Sequence, residues 1–252
     1  SAKFIHKACL EKWRRTSPKE DAAYRCGQCM DEYRDALSIE LLSERLRAER
    51  TDGEVTRFTL GTLAWELQSQ GKFDEAEPLY REALEVSREM LGDRHPDTLT
   101  SINNLSLLLM DKGDLAAAEP LCREALEMRR ETLSNRHPHT LTSINNLGTL
   151  LQDKGDLAAA EPLYREALEG RRETLGGRHP HTLTSINNLG GLLHDKGDHA
   201  AAEPLCREAL EGQRETLGGR HPSTLTSISN LGVLLQAKGD LAAAELLCRE
   251  AL

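Results

Sequence analysis

Four residues near the start of the chain have the types and the spacing to hold a metal ion. His6 and Cys9 stand as H-x2-C in "FIHKACLEKW", and Cys26 and Cys29 stand as C-x2-C in "CGQC". Thiolate sulfur and imidazole nitrogen suit Zn2+, and structural zinc sites are usually assembled from two such short-spaced pairs. The chemistry they point to is zinc binding. The plainer alternative makes Cys9 a core residue and "CGQC" a chance pair. Elsewhere the chain has no G-x-S-x-G, no phosphate-binding loop and no H-E-x-x-H, so no catalytic constellation is visible.

The composition narrows the classes further. The 252 residues carry 41 acidic against 32 basic side chains, a poor balance for binding nucleic-acid phosphates. Aromatics make up only 4%, too few for a platform that stacks single-stranded bases. The longest apolar run, around "LSLLLM", is far short of the roughly 20 residues that span a bilayer. No signal peptide is visible. The expectation is a cytoplasmic protein that binds neither membrane nor nucleic acid. The chain starts at Ser1 and stops at "CREAL" in mid-helix, so it reads as a piece of a longer protein.

What must position any site is a repeat. "RHP" recurs with its histidine at His95, His137, His179 and His221, 42 residues apart each time. In that phase the repeats run 57–98, 99–140, 141–182, 183–224 and 225–252, the last incomplete. Residues 35–56 precede them as a linker, and the stretch from about 31 to 49 has helical periodicity in Tyr33, Leu37, Ile39, Leu42 and Leu46. This linker helix would cover the exposed end of the first repeat.

Two breaks divide each repeat. In "KGD", Gly155 can close a helix and Asp156 can cap the next. In "GGRHP", Gly176 and Gly177 suit a left-handed stop, and Pro180 suits a first helical turn. Helix A is therefore expected over 138–154 and helix B over 156–175. On helix A, Leu141, Ile144, Leu147 and Leu151 form an apolar stripe. Thr142, Asn145, Asn146, Thr149, Gln152 and Asp153 form a polar one. Helix B places Leu157, Ala160, Tyr164, Ala167 and Leu168 on one face. One such hairpin cannot bury its stripe alone, but stacked copies can. Pro162 lies inside helix B and is expected to kink it. Cys122, Cys206 and Cys248 occupy the slot filled by Tyr80 and Tyr164 in sister repeats, so they read as buried small hydrophobes. The "RHP" histidines read as helix N-terminal punctuation, and His194 and His199 as drift.

Leu147, Gly148, Ala160, Tyr164 and Ala167 sit at the spacing of the tetratricopeptide repeat, which residues 57–252 resemble. The 42-residue period, "HPxTLxSxNNL" and "AEPLYREAL" are most similar to the repeats of kinesin light chain. The resemblance implies an all-α fold, a right-handed superhelical solenoid of helix hairpins whose A helices line a concave face. Asn104, Asn146, Asn188 and Asn230 then fall one per repeat. The matching asparagine of kinesin light chain contacts cargo peptides, and Asn103, Asn145 and Asn187 would share the groove. An asparagine amide has both donors and an acceptor, so it can bond peptide backbone whatever the side chains. Trp65, on the same stripe, would be either a peptide anchor or packed beneath the linker helix.

Residues 1–34 carry a second resemblance. His6, Cys9, Leu10, Trp13, Cys26, Cys29 and Tyr33 look like the second half of a RING-CH finger. Such fingers bind two zinc ions in a cross-brace of eight ligands and recruit a ubiquitin-conjugating enzyme. His6 and Cys9 would complete one zinc site, Cys26 and Cys29 the other. The first four ligands are absent, so each ion would keep two of four, which does not close a tetrahedral site; alternatively all four residues gather on one zinc. The expected function is a protein-protein interaction scaffold holding a peptide in the repeat groove. The alternatives are the substrate-recruiting part of a RING-CH ubiquitin ligase and a kinesin-type cargo adaptor.

Overall fold

The computed structural model describes residues 36–53 and 55–250. His6, Cys9, Cys26 and Cys29 lie outside them. The described residues form eleven helices and no strand, in two compact units divided after Asp114. The first unit holds α1 (Ala36–Asp52), α2 (Arg57–Ser69), α3 (Phe73–Leu91) and α4 (Pro96–Asp111). The second holds α5 (Leu115–Thr132), α6 (Pro138–Asp153), α7 (Leu157–Leu175), α8 (Pro180–Asp195), α9 (His199–Leu217), α10 (Pro222–Ala237) and α11 (Leu241–Glu250).

Local chemistry sets the boundaries. At "KGD", the amide of Gly155 donates to the Gln152 carbonyl and that of Asp156 to the Leu151 carbonyl, both at 2.8 Å. This is a Schellman stop, and Gly155 supplies the φ of +82° that it requires. Asp156 at once caps α7, its Oδ1 accepting from the Ala159 amide at 3.1 Å. One residue thus ends a helix and starts the next. At "RHP", His137 is the N-cap and Pro138 the first helical residue of α6. The His139 amide donates to Nδ1 of His137 at 3.2 Å, which needs a neutral imidazole with its hydrogen on Nε2. His95, His179 and His221 cap α4, α8 and α10 the same way, at 3.1–3.2 Å. At "GGRHP" the stop differs from a left-handed one: Gly176 has φ +83° with an extended ψ of 163°, and Gly177 does not take a positive φ. α7 continues through Pro162 as a single helix. Pro162 and Ala158 are both exposed, so water can satisfy the carbonyl the proline leaves unbonded.

In the first unit, α1 packs on α2, α2 on α3 and α3 on α4. Leu41, Leu42 and Leu46 of α1 are buried. In the second, each helix from α5 to α10 packs on the next; α6 also touches α8, and α8 touches α10. The A helices therefore bury more than one stripe. Leu141, Ile144, Leu147 and Leu151 are buried as their spacing predicts, and Leu150 joins them. Helices A and B approach closely where residues are small. A Cβ on Gly148 would stand 3.0 Å from Tyr164 Cε1, and one on Gly170 would stand 2.5 Å from Leu141 Cδ2.

Cys122 and Cys206 are buried and in no disulfide; the side chain of Cys248 lies outside the described set. Burial, reinforced by the nearby Glu203 carboxylate, pushes the Cys206 thiol up to about 11, so it stays protonated and packs as a hydrophobe.

Charged clamps recur between repeats of the second unit. Glu161 accepts from Arg165 one turn on and from Lys196 at the end of α8. Glu119 does so from Arg123 and Lys154, and Glu203 from Arg207 and Lys238. Arg130 and Arg172 each bind both oxygens of a carboxylate, Glu166 and Glu208 respectively, at 2.7–2.8 Å. Arg171 is different: only 5% exposed, it donates to the His181 carbonyl at 3.0 Å and to Ser185 Oγ at 2.7 Å. It ties the end of α7 to the start of α8.

Candidate functional site

The polar stripe of helix A carries the paired asparagines. The paired asparagines divide by role. Asn145 and Asn187 are 9% and 7% exposed, turned toward the neighbouring A helix. Asn145 Oδ1 accepts from Asn188 Nδ2 at 3.1 Å, and Asn187 Oδ1 accepts from Ser227 Oγ at 3.2 Å. These bonds join α6 to α8 and α8 to α10. The second asparagines, Asn146, Asn188 and Asn230, are half-buried. Asn188 and Asn230 border a cavity of about 430 Å³, together with Thr149, Gly191 and Val233. Asn230 makes no hydrogen bond among the described residues, so both faces of its amide are available.

Tyr164 forms the floor beneath this stripe. It is 1% exposed; its hydroxyl donates to Gln152 Oε1 at 2.9 Å and lies 3.0 Å from Thr149 Oγ1. Burial pushes its pKa up to about 12, and burial also raises the Asp153 carboxyl above its ordinary value. In the next repeat Cys206, Gly191 and His194 replace Tyr164, Thr149 and Gln152. Cys206 and Gly191 are smaller than the residues they replace, and both sets line the same cavity. His194 and His199, read from sequence as unrelated substitutions, come together with ring centroids 5.1 Å apart.

The first unit has a counterpart with a different lining. Phe58, Gly61 and Trp65 of α2 face Asn104 of α4 across a cavity of about 460 Å³. Trp65 is 50% exposed and Phe58 40%, so Trp65 is not covered by α1. An ion pair of Arg57 with Asp97, 2.6 Å, closes one end. Asn104 is half-buried and makes no hydrogen bond among the described residues; Asn103, also half-buried, is its neighbour. Phe58 was legible only by comparison of repeats, since threonine holds its place in every other copy. Gly61 and Gly191 are helical glycines lining these cavities, and a Cβ on either would meet nothing within 4 Å. Neither turn nor packing requires them, although each costs about 1 kcal/mol against alanine.

Among the described residues, no three or more His, Cys, Asp or Glu side chains are grouped to hold a metal ion, and no helix is long and apolar enough to cross a membrane.

The chain matches the tetratricopeptide repeat family over residues 97–173, 144–205 and 181–252, and again over 59–97. A search of curated proteins finds no match. Among solved structures it is similar to the nearly identical tetratricopeptide-like repeats of a Podospora anserina kinesin light chain-type protein: 26% identity, TM-score 0.65, covering 82% of this chain and 92% of that one. It is similar to BtubC (BKLC) from P. vanneervenii, with 26% identity, TM-score 0.69 and coverage of 84% and 87%. A Rap protein complexed with Competence and Sporulation Factor shares the fold, with TM-score 0.71 at 14% identity, covering 84% of this chain and 57% of that one.

Proposed function

Because the chain belongs to the tetratricopeptide repeat family, we propose that it is a protein-interaction scaffold which holds an extended segment of a partner protein along its A helices. Within each unit the asparagine amides, Asn104 in the first and Asn188 and Asn230 in the second, bond the backbone of such a segment. One observation carries this reading: Asn104 and Asn230 occupy equivalent positions in two A helices, each half-buried at the edge of a cavity and each without a hydrogen-bond partner among the described residues. A half-buried amide without a partner in the fold keeps its donors and its acceptor for a ligand. The likeness to kinesin light chain-type repeats supports the same use of the helix-A face. Asn230→Ala is expected to weaken capture of peptides selected on the protein about five- to tenfold without shifting its thermal melt. Calorimetric titration checks this, and unchanged affinity removes the asparagines from the groove.

A second reading rests on the spacing of His6, Cys9, Cys26 and Cys29. As a donor set they fit zinc, and we propose that residues 1–34 are the closing half of a RING-CH finger, His6 and Cys9 serving one ion and Cys26 and Cys29 the other. Bound zinc would supply folding energy to the segment. Ubiquitin-ligase activity belongs to a polypeptide carrying all eight ligands. Metal analysis after gel filtration is expected to find less than one zinc retained per chain. One tightly held ion, lost in Cys26→Ser, means a single Cys3His site instead, and retention indifferent to Cys26→Ser and Cys9→Ser rules out both arrangements.

A further inference from the structure

The third and fourth repeats, 141–182 and 183–224, differ at six positions of 42. The differences are not scattered. Gly191, His194 and Cys206 line one cavity, and the ring of His199 lies against that of His194, with centroids 5.1 Å apart. The two that remain, Gln213 and Ser223, hold the places of Arg171 and His181, whose guanidinium and carbonyl are bonded at 3.0 Å. No other repeat has histidine where His194 or His199 stands; Gln152 and Leu157 hold those places in the third. His194 lies in the last turn of α8 and His199 is the first residue of α9, so the two histidines meet across one hairpin turn.

Proximity alone does not make a ligand pair. His137 and His139 have ring centroids 5.2 Å apart, as do His179 and His181. There, Nδ1 of His137 and of His179 already accepts a backbone amide. His194 and His199 differ. Nδ1 of each is buried and has no hydrogen-bond partner among the described residues. The third repeat carries no such cost: Gln152 is bonded at both ends of its amide, to Tyr164 and Asp195, and Leu157 has no polar atom to satisfy. The carboxylates beside the pair are committed elsewhere, Asp198 to capping α9 and Asp195 to Gln152. Both rings are half-buried, so solvent reaches them.

We propose that His194 and His199 together bind a divalent transition-metal ion of the class that takes imidazole ligands, Zn2+, Cu2+ or Ni2+. Each neutral ring offers one nitrogen lone pair. Two imidazoles on one tetrahedral ion, with nitrogens about 2.0–2.1 Å from the metal, hold their centroids about 5 Å apart. The pair already has that separation. Water fills the other positions, since no third His, Cys, Asp or Glu side chain is grouped with the pair among the described residues. Bound there, the ion fastens the end of α8 to the start of α9. The assignment rests neither on the peptide groove nor on the zinc reading of residues 1–34.

The test is a calorimetric titration of the whole chain with Ni2+, set against the same titration of the double variant His194→Gln, His199→Leu. The double variant installs the residues of the third repeat. His6, Cys9, Cys26, Cys29 and the remaining histidines stay in both chains, so whatever they bind cancels in the difference. The unaltered chain is expected to take up a tightly held ion that the double variant lacks, and Ni2+ is expected to raise its thermal melt more. His194→Gln alone and His199→Leu alone are each expected to lower affinity for that ion about a hundredfold, because a lone imidazole does not chelate. Identical titrations for the unaltered chain and the double variant overturn the site. So does full affinity in either single variant, which would mean that the rings do not act as a pair.

Discussion

Tyr164→Ala is expected to destabilise the second unit by about 3–5 kcal/mol, as for other large aromatic truncations in cores. Tyr164 is 1% exposed, and its ring covers Gly148 closely enough that a Cβ there would lie 3.0 Å from Cε1. Removing the ring leaves a void that two packed helices cannot close without shifting. Tyr164→Phe isolates the hydroxyl and is expected to cost about 1 kcal/mol, because it deletes the donation to Gln152 and the contact with Thr149. Urea unfolding of both variants checks the pair. A loss below about 1 kcal/mol for Tyr164→Ala would contradict the assignment of this slot to the core. The fourth repeat carries Cys206 in the slot, with Gly191 and His194 standing where the hydroxyl's two partners are.

Acidification is expected to weaken the second unit in two stages. Burial holds His139 and His181 below the ordinary histidine value, with Arg129 and Arg171 and the neighbouring His137 and His179 adding to it. The folded state thus prefers the neutral rings. Their contribution is complete above the unfolded value of about 6.5 and is lost as pH falls through the lower folded value. The second stage comes from Glu119, Glu161 and Glu203. Hydrogen bonds from Lys154, Lys196 and Lys238, then from Arg123, Arg165 and Arg207, hold these carboxyls below their usual range. That stability is present above about 4.3 and disappears as pH falls through the lowered folded values. Each clamp is open to solvent and contributes at most about 1 kcal/mol, so the second stage is a sum of small equal steps. Urea midpoints at pH 7, 5.5, 4.5 and 3 are expected to fall throughout, and Lys196→Met is expected to shrink the drop below pH 4.5. A midpoint that stays flat from pH 7 to pH 5 would count against the histidine stage.

The helices themselves were legible because their causes are local. Asp156 caps with its own side chain, Gly155 alone supplies the positive φ, and His137 bonds an amide two residues away. Interactions that span only a few residues are visible as residue types at fixed offsets. The 42-residue period then fixed which hairpins are equivalent, and with it the all-helical repeat fold.

The site was legible only in part. Asn145 and Asn146 are adjacent and identical in type, yet one is 9% exposed and bonded to the next helix, while the other is half-buried. Successive residues point about 100° apart around a helix, so which asparagine turns inward depends on where the neighbouring A helix lies. Leu150 and Arg171 teach the same lesson. Leu150 extends the apolar stripe because a second helix packs there, and Arg171, a surface residue by type, is buried because the start of α8 brings the His181 carbonyl and Ser185 to it. The sequence by itself determined the elements, their ends and their repetition, since those follow from contacts within one or two turns. Only the tertiary structure decided which polar side chains bind the array together and which are left to bind something else, because that choice is made by the helix opposite.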